Sequence, residues 1–251
     1  MKFASSAELF FRQPCFQNGF PGWDSCLTGY GVSSVLGLTP WESRTQLYQR
    51  LTRGVPKREM TWEMQRGMEY KEMVFHTFGA TSRSVVFRKN PFNNNRKFYA
   101  STDKIHGLGG VVDAFLVGKE DGEVKAGMTV RTSGLSMAAY WDKYPALVHT
   151  AQNLFYMGLC GIDMWVLSVM LFRKDENEEE RIPFEVRSYR FSFDRDVYNV
   201  IYKKAEDFWK NCYLAGVTPK EEDSSQIVQM LEDYTMRKTR LFRIKPPIAI
   251  S

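Results

Sequence analysis

The fold of this chain is most constrained by two short segments. One segment ends in a carboxylate, and the other begins with one. Residues 110–113 are an apolar run that ends in Asp113, and Glu123-Val124-Lys125 begins ten residues after that aspartate. The intervening residues 120–122 are polar and end in glycine, so the segments are predicted to be adjacent antiparallel strands. Because side chains alternate along a strand, Glu123 and Lys125 are predicted to share one face.

This pattern predicts that two carboxylates and one ammonium converge. A buried pair of carboxylates is costly unless a positive charge lies between them, and hard divalent cations bind oxygen ligands in this way. We therefore expect a Mg²⁺ or Mn²⁺ site at Asp113 and Glu123, with Lys125 beside it to position an attacking water. The same string also fits a polar hairpin with a solvated Glu–Lys pair.

Composition narrows the class of protein. The 251 residues, 43% of them hydrophobic and 14% aromatic, can bury a sizeable core. We predict an intracellular chain that is neither membrane-spanning nor secreted, since it has no run of eighteen apolar residues and its N-terminus lacks an apolar signal segment. Four scattered cysteines and three histidines argue against a zinc framework, a disulfide scaffold or a Ser-His-Asp triad.

The net charge of +5 and the pI near 8.9 come from clusters of lysine and arginine. Basic clusters attract phosphate backbones, and neighbouring aromatic side chains can stack on unpaired bases. A mildly basic solvated surface explains the same charge. Charge therefore permits a nucleic-acid partner without requiring one.

Hydrophobic periodicity predicts a mixed α/β order. Helices are predicted up to Leu36, over 40–51, over 60–78, after Pro145 and over 194–213, with strands between them. The nearly continuous apolar run 164–172 predicts a buried strand, followed by a solvated acidic loop. We assign residues 1–215 to one domain and residues 216–251 to a helical or partly disordered C-terminal extension.

Separated segments then resemble one known family. Residues 31–43 resemble the "G-x-S-x-h-x-x-h-G-h-S-P-W-x-S" opening of the YqaJ-type viral recombinases, the lambda exonuclease-like family of the PD-(D/E)xK nuclease superfamily. Asp113, Glu123 and Lys125 resemble the D…E-x-K core of that superfamily. Gln152 is similar to the glutamine of the family's "Q-x-x-x-x-M-x-x-x-G" helix.

The resemblance implies a restriction-endonuclease-like core, in which a central mixed β-sheet is flanked by helices. It implies a metal-dependent deoxyribonuclease, an exonuclease that digests one strand of linear duplex DNA from its ends for viral or phage recombination and repair. The cofactor implied is Mg²⁺ or Mn²⁺. The partners implied are duplex ends and a single-strand annealing protein, and family members that enclose DNA make a homo-oligomer conceivable.

The resemblance also assigns roles to residues. Asp113, Glu123 and the backbone carbonyl of Val124 would ligate the metal, and Lys125 would position the water. Gln152 would support Lys125 or the water, although a solvated helix position also explains it. Ser33, with Ser34, would bind the terminal phosphate; the alternative for Ser33 is a helix N-cap.

Departures from the family pattern leave alternatives open. The family places a metal-binding glutamate four residues after the glycine of G-x-x-x-E, and Lys71 stands there in this chain. Glu69 is the favoured replacement, and Glu72 is the alternative. Asp103, in a segment that echoes the family's S-P-D-G, competes with Asp113. The remaining functional alternatives are an endonuclease on the same core and a nucleic-acid-binding module without hydrolysis.

Overall fold

The computed structural model describes residues 6–11, 13, 16–18, 26–54, 61–81, 85–88, 98–102, 105–142, 145–177 and 180–244. In these ranges, helices α1 to α8 span Ser6–Phe10, Gly29–Val35, Arg44–Arg53, Trp62–Glu69, Lys71–Thr81, Leu147–Cys160, Arg195–Phe208 and Ser225–Lys238. Strands β1 to β9 span Phe16–Asn18, Val85–Arg88, Phe98–Thr102, Ile105–Gly110, Ala114–Gly118, Val124–Gly134, Met164–Lys174, Glu180–Ser192 and Thr239–Ile244. A 3-10 helix covers Leu135–Trp141, and a π-helical turn, Trp209–Leu214, follows α7.

A six-stranded mixed sheet organises the fold. Its strand order is β2-β5-β6-β7-β8-β9, and every neighbouring pair is antiparallel except β6 and β7. The parallel pair needs a crossover, which the 3-10 helix and α6 provide. Strands β1, β3 and β4 form a separate small sheet. This architecture confirms the predicted mixed sheet flanked by helices.

Both faces of the large sheet are buried, which explains the continuous apolar run in β7. Trp165, Leu167 and Val169 point into the larger core with α2, α6 and α7, whereas Val166 and Met170 pack in a second core with α5. Alternate residues of one strand thus meet different helices. Gly161, with a φ of 65°, ends α6 in the left-handed conformation that favours glycine.

The helix predicted over 60–78 is two helices in the structure. Tyr70 interrupts it with φ of −94° and ψ of 0°, and its ring packs against Phe172 of β7 at a centroid distance of 4.8 Å. This packing favours a bend at Tyr70, which a periodicity pattern does not reveal. The bend makes Lys71 the first residue of α5.

The C-terminal segment belongs to the main core. Leu231 and Tyr234 of α8 are fully buried there, and the Tyr234 hydroxyl donates to the Ser192 carbonyl at 2.8 Å. Strand β9 pairs with β8 at the edge of the large sheet. Within residues 216–244 the chain therefore packs as part of the same unit as the residues before it. None of the helices in the described ranges is long and apolar enough to span a membrane.

Candidate functional site

Asp113 lies at the centre of a charged cluster where β5 begins. Its Oδ1 accepts a hydrogen bond from the Lys71 Nζ at 2.5 Å, and its Oδ2 accepts one from the Val130 backbone N–H at 2.7 Å. The carboxylate side chain is only 13% exposed. Because both oxygens are engaged, the carboxylate is held in one orientation.

Arg131 extends the cluster toward α6. Its Nη1 lies 3.7 Å from the Asp113 Oδ2, and its Nη2 donates to the Gln152 Oε1 at 2.9 Å. Gln152 is buried in the second turn of α6, and its described side-chain partner is Arg131 instead of the predicted Lys125. We call Lys71, Asp113, Arg131 and Gln152 the Asp113 cluster.

His149 lies one turn before Gln152 on α6. Burial, with a further contribution from the Arg131 charge, lowers the pKa of His149 from 6.5 to about 3, against an opposing hydrogen bond with Gln152. The imidazole stacks on Trp141 with a centroid distance of 5.6 Å and an interplanar angle of 16°. His149 is therefore neutral at physiological pH, and it can neither carry positive charge nor act as an acid there.

The cluster has an excess of positive charge. Lys71 and Arg131 each bring one positive charge, and Asp113 brings one negative charge, so one positive charge is left uncompensated. The side chains of Lys71 and Arg131 are 36% and 31% exposed. Both cations can thus reach solvent from a fixed carboxylate, an arrangement that suits an anionic ligand.

Glu123 and Lys125 lie at the opposite end of β5 from Asp113, so the predicted convergence is wrong. Ala114 pairs with Met128 and Val117 pairs with Val124, which places Asp113 level with Thr129. Four strand residues separate the two ends of β5, or about 13 Å. Val124 lies at the same turn end as Glu123 and does not approach Asp113.

The physical reason for this error is the tight turn between β5 and β6. The Gly118 N–H donates to the Glu123 carbonyl at 2.8 Å, so the strands pair right up to Glu123. A residue ten positions after Asp113 then falls at the turn, and only a residue about sixteen positions after it comes level with the aspartate. Spacing alone does not specify the register.

Glu123 and Lys125 lie on an exposed polar hairpin, which is the alternative interpretation of this segment given above. The Lys125 Nζ donates to Asp121 and, at 2.9 Å, to the Glu123 Oε2. These hydrogen bonds, the one with Asp121 first, raise the pKa of Lys125 above its usual value. The lysine is therefore a charged surface group and is not placed to deprotonate a water at Asp113.

No second carboxylate is level with Asp113 among the residues whose side chains are described. Thr129 occupies that position, and its hydroxyl accepts from the Trp165 Nε1 at 2.9 Å and donates to the Asn153 Oδ1 at 3.0 Å. No group of three or more His, Cys, Asp or Glu residues in the described ranges could hold a metal ion. Hard divalent cations need several oxygen ligands, and among the described side chains this cluster offers one carboxylate next to two cations.

The remaining predicted ligands are not brought to this cluster by any described contact. Glu69 ends α4, two residues before Lys71, and its side chain lies outside the described part of the structure. Glu72 is exposed on α5. Asp103 lies outside the described residues. The position that a cation would take beside Asp113 is instead filled by the Lys71 ammonium.

Ser33 and Ser34 are buried inside α2, and both hydroxyls bind acceptors within the protein. The Ser33 hydroxyl donates to the Val148 carbonyl at 2.8 Å, and the Ser34 hydroxyl donates to the Glu42 Oε2 at 2.8 Å. Thr28 is the N-cap of α2, so the N-cap alternative for Ser33 is wrong, while the phosphate contact of Ser33 and Ser34 stays a prediction. Ser33 instead joins α2 to the first turn of α6.

Arg131 and His149 were not predicted from the sequence, and Lys71 was noted only as a departure from the family pattern. The cross-strand register that brings Arg131 to Asp113 is specified by no local sequence pattern. His149 lies three residues before Gln152, the spacing that puts both side chains on one helix face.

No protein-family model matches this sequence, and no curated protein matches it. Solved structures do. The alkaline exonuclease LHK-Exo from Laribacter hongkongensis is 14% identical, with a TM-score of 0.55 over 83% of this chain and 92% of that one. LHK-Exo in complex with dAMP is 12% identical, with a TM-score of 0.54 over 84% of this chain and 92% of that one.

A phage related exonuclease from Haemophilus somnus 129PT is 14% identical, with a TM-score of 0.53 over 82% of this chain and 96% of that one. Likeness at these identities concerns the fold. The chain therefore has the restriction-endonuclease-like fold of alkaline and phage-related exonucleases, as the family resemblance predicts.

Proposed function

We propose that this chain binds the phosphodiester backbone of DNA at the Asp113 cluster and that binding does not depend on a divalent metal. The observation that carries the proposal is the Lys71 ammonium 2.5 Å from the Asp113 carboxylate, with Arg131 beside it. Together these cations leave a positive charge open to solvent. A DNA phosphate is the anion that we expect a chain with the fold of exonucleases to bind.

The net charge of the chain also supports DNA as the ligand. The whole chain carries a net charge of +5, which strengthens its attraction to a polyanion. Arg131 presents a planar guanidinium, which can bind two phosphate oxygens at once. Gln152 fixes that guanidinium from the α6 side, so the donor is oriented before the ligand arrives.

A second candidate function is the metal-dependent exonuclease that the resemblance predicts. It is favoured by the three solved structures of the same fold, each of which is named an exonuclease. In this candidate Asp113 would provide one metal ligand after Lys71 moves away, and Glu69 on the adjacent helix end would be a further ligand. Mg²⁺ or Mn²⁺, an annealing partner and a homo-oligomer stay predictions.

The test is fluorescence anisotropy with a labelled linear duplex, in EDTA and over a range of salt concentrations. We expect binding in EDTA that weakens with salt, because bound phosphates release counterions. Lys71→Gln and Arg131→Gln should each weaken binding by about three- to tenfold and lower the salt slope by about one.

Lys203→Gln is the matched control. Lys203 is a lysine of α7 whose side chain is 74% exposed and pairs only with Asp207 among the described contacts, at 3.3 Å. Its replacement should leave the affinity unchanged. Equal losses of affinity in all three variants would mean that the overall charge of the chain, and not the Asp113 cluster, determines DNA binding. An absence of binding in EDTA would also contradict the proposal.

A further inference from the structure

A cavity of about 520 Å³ opens at the first turn of α6, the helix that carries Gln152 of the Asp113 cluster. It lies between the loop after α2, the 3-10 helix and the first turn of α6. The described residues of its walls are uncharged and mostly apolar, and they include Leu38, Pro40, Trp41, Tyr140, Leu147 and Val228. A cavity of this size holds a small organic group.

Two large aromatic side chains on the cavity are exposed. Trp41 is 62% exposed and Tyr140 is 51% exposed, and both line the cavity. Aromatic side chains of this size usually contribute to a core, so exposure of two of them at one cavity indicates a surface that binds a flat apolar partner.

The loop that carries Trp41 is held in place before any ligand binds. The Thr39 hydroxyl donates to the Glu42 carbonyl at 2.5 Å. Glu42 in turn accepts from the Arg50 Nε at 2.7 Å and from the Ser34 hydroxyl. The cavity wall is therefore preformed, which lowers the entropy cost of binding.

A chain of ring and hydrogen-bond contacts joins the cavity to the Asp113 cluster. Tyr140 packs edge-on against Trp141 at 5.3 Å, and Trp141 stacks on His149. His149 and Gln152 lie on one face of α6, and Gln152 binds Arg131. From Leu147 at the cavity to Gln152, the helix rises about 7.5 Å.

We propose that the cavity binds an unpaired nucleobase of the DNA strand whose backbone lies on Lys71 and Arg131. This inference rests on the proposed function, and it adds which part of the nucleic acid is recognised. Bases stack on aromatic faces without regard to sequence, and the neighbouring cations provide the contacts for the sugar-phosphate backbone. The protein would thus prefer a duplex end that carries an unpaired tail over a fully paired end.

The experiment compares labelled duplexes that carry either an unpaired tail or the same tail made of abasic nucleotides. Wild-type protein should bind the normal tail about tenfold more tightly than the abasic one. Trp41→Ala and Tyr140→Ala should each remove most of that preference. Phe184→Ala is the control, because Phe184 is 45% exposed on β8 and does not line the cavity.

The outcomes separate the two proposals. If wild-type protein binds neither duplex, the proposed function fails. If Lys71→Gln weakens binding but Trp41→Ala and Tyr140→Ala keep the tenfold preference, the cavity does not hold a base while the backbone site stands. If those two variants lose equal affinity for both tails, the cavity acts through something other than a base and the inference is overturned. Thermal melts should show all variants folded, since the replaced rings are exposed.

Discussion

At the scale of single residues, the site depends on which charges surround Asp113. A second carboxylate beside it would create the need for a divalent cation, whereas Lys71 and Arg131 already compensate its charge. His149 stays neutral beside Arg131 because both burial and the neighbouring guanidinium disfavour a second cation. The cluster therefore keeps one excess positive charge that an incoming anion can neutralise.

His149 gives the fold a pH dependence that can be measured. Its pKa is about 3 in the folded chain and 6.5 as an unperturbed group, so its contribution to stability is complete above pH 6.5 and is lost as the pH falls toward 3. The loss is on the order of 5 kcal/mol. Denaturant unfolding at several pH values should show a flatter profile for His149→Gln.

His76→Gln is the control for that profile, because His76 is exposed on α5. Its profile should follow that of the wild type. If the His149→Gln variant lost stability in parallel with the wild type between pH 6.5 and pH 4, His149 would not be the group responsible.

At the scale of elements, strand register decides which residues meet. The β5–β6 hairpin brings Val130 and Arg131 to Asp113 and leaves Glu123 and Lys125 at its exposed turn. The bend at Tyr70 similarly brings the Lys71 side chain to Asp113, away from the solvated face of the helix. Two local features of the backbone thus determine the chemistry of the site.

Lys125→Ala should leave DNA binding unchanged within about twofold, because its ammonium pairs only with the exposed hairpin carboxylates among the described contacts. Arg131→Ala, measured in parallel by anisotropy, should weaken binding. A loss of hundredfold or more for Lys125→Ala would instead return this lysine to the mechanism and require a different hairpin register.

The same elements show what sequence can and cannot predict here. The run 164–172 predicts a buried strand because its apolar residues suit two buried faces, and the structure confirms it as β7. The predicted convergence of Asp113 and Glu123 was wrong because the spacing between two residues does not fix the point where a hairpin turns. Gln152 was predicted from the family resemblance, whereas its partner Arg131 is set by a cross-strand register that no local pattern specifies.

At the scale of the whole molecule, the C-terminal elements complete the core. Leu231 of α8 is fully buried against the elements that precede residue 215, and β9 adds the last strand of the large sheet. The sheet, the helices on both of its faces and this final strand together hold β5, β6 and α6 in the arrangement that forms the site.

Leu231→Ala should destabilise the fold by about 2–5 kcal/mol, because it leaves a cavity in the main core. Met236→Ala on the same helix is the control, since Met236 is 61% exposed and its replacement should change stability by less than about 0.5 kcal/mol. Denaturant melts measure both. Equal, small effects would mean that α8 is a peripheral appendage.

Asp113→Asn tests most directly the proposal that Asp113 orients two phosphate-binding cations and does not ligate a catalytic metal. The asparagine amide oxygen can still accept from the Val130 N–H, while the negative charge next to Lys71 and Arg131 is removed. We predict that this variant binds end-labelled linear duplex in EDTA at least as tightly as the wild type. Metal-dependent loss of the end label with the wild type, slowed at least a hundredfold in Asp113→Asn, would contradict the account.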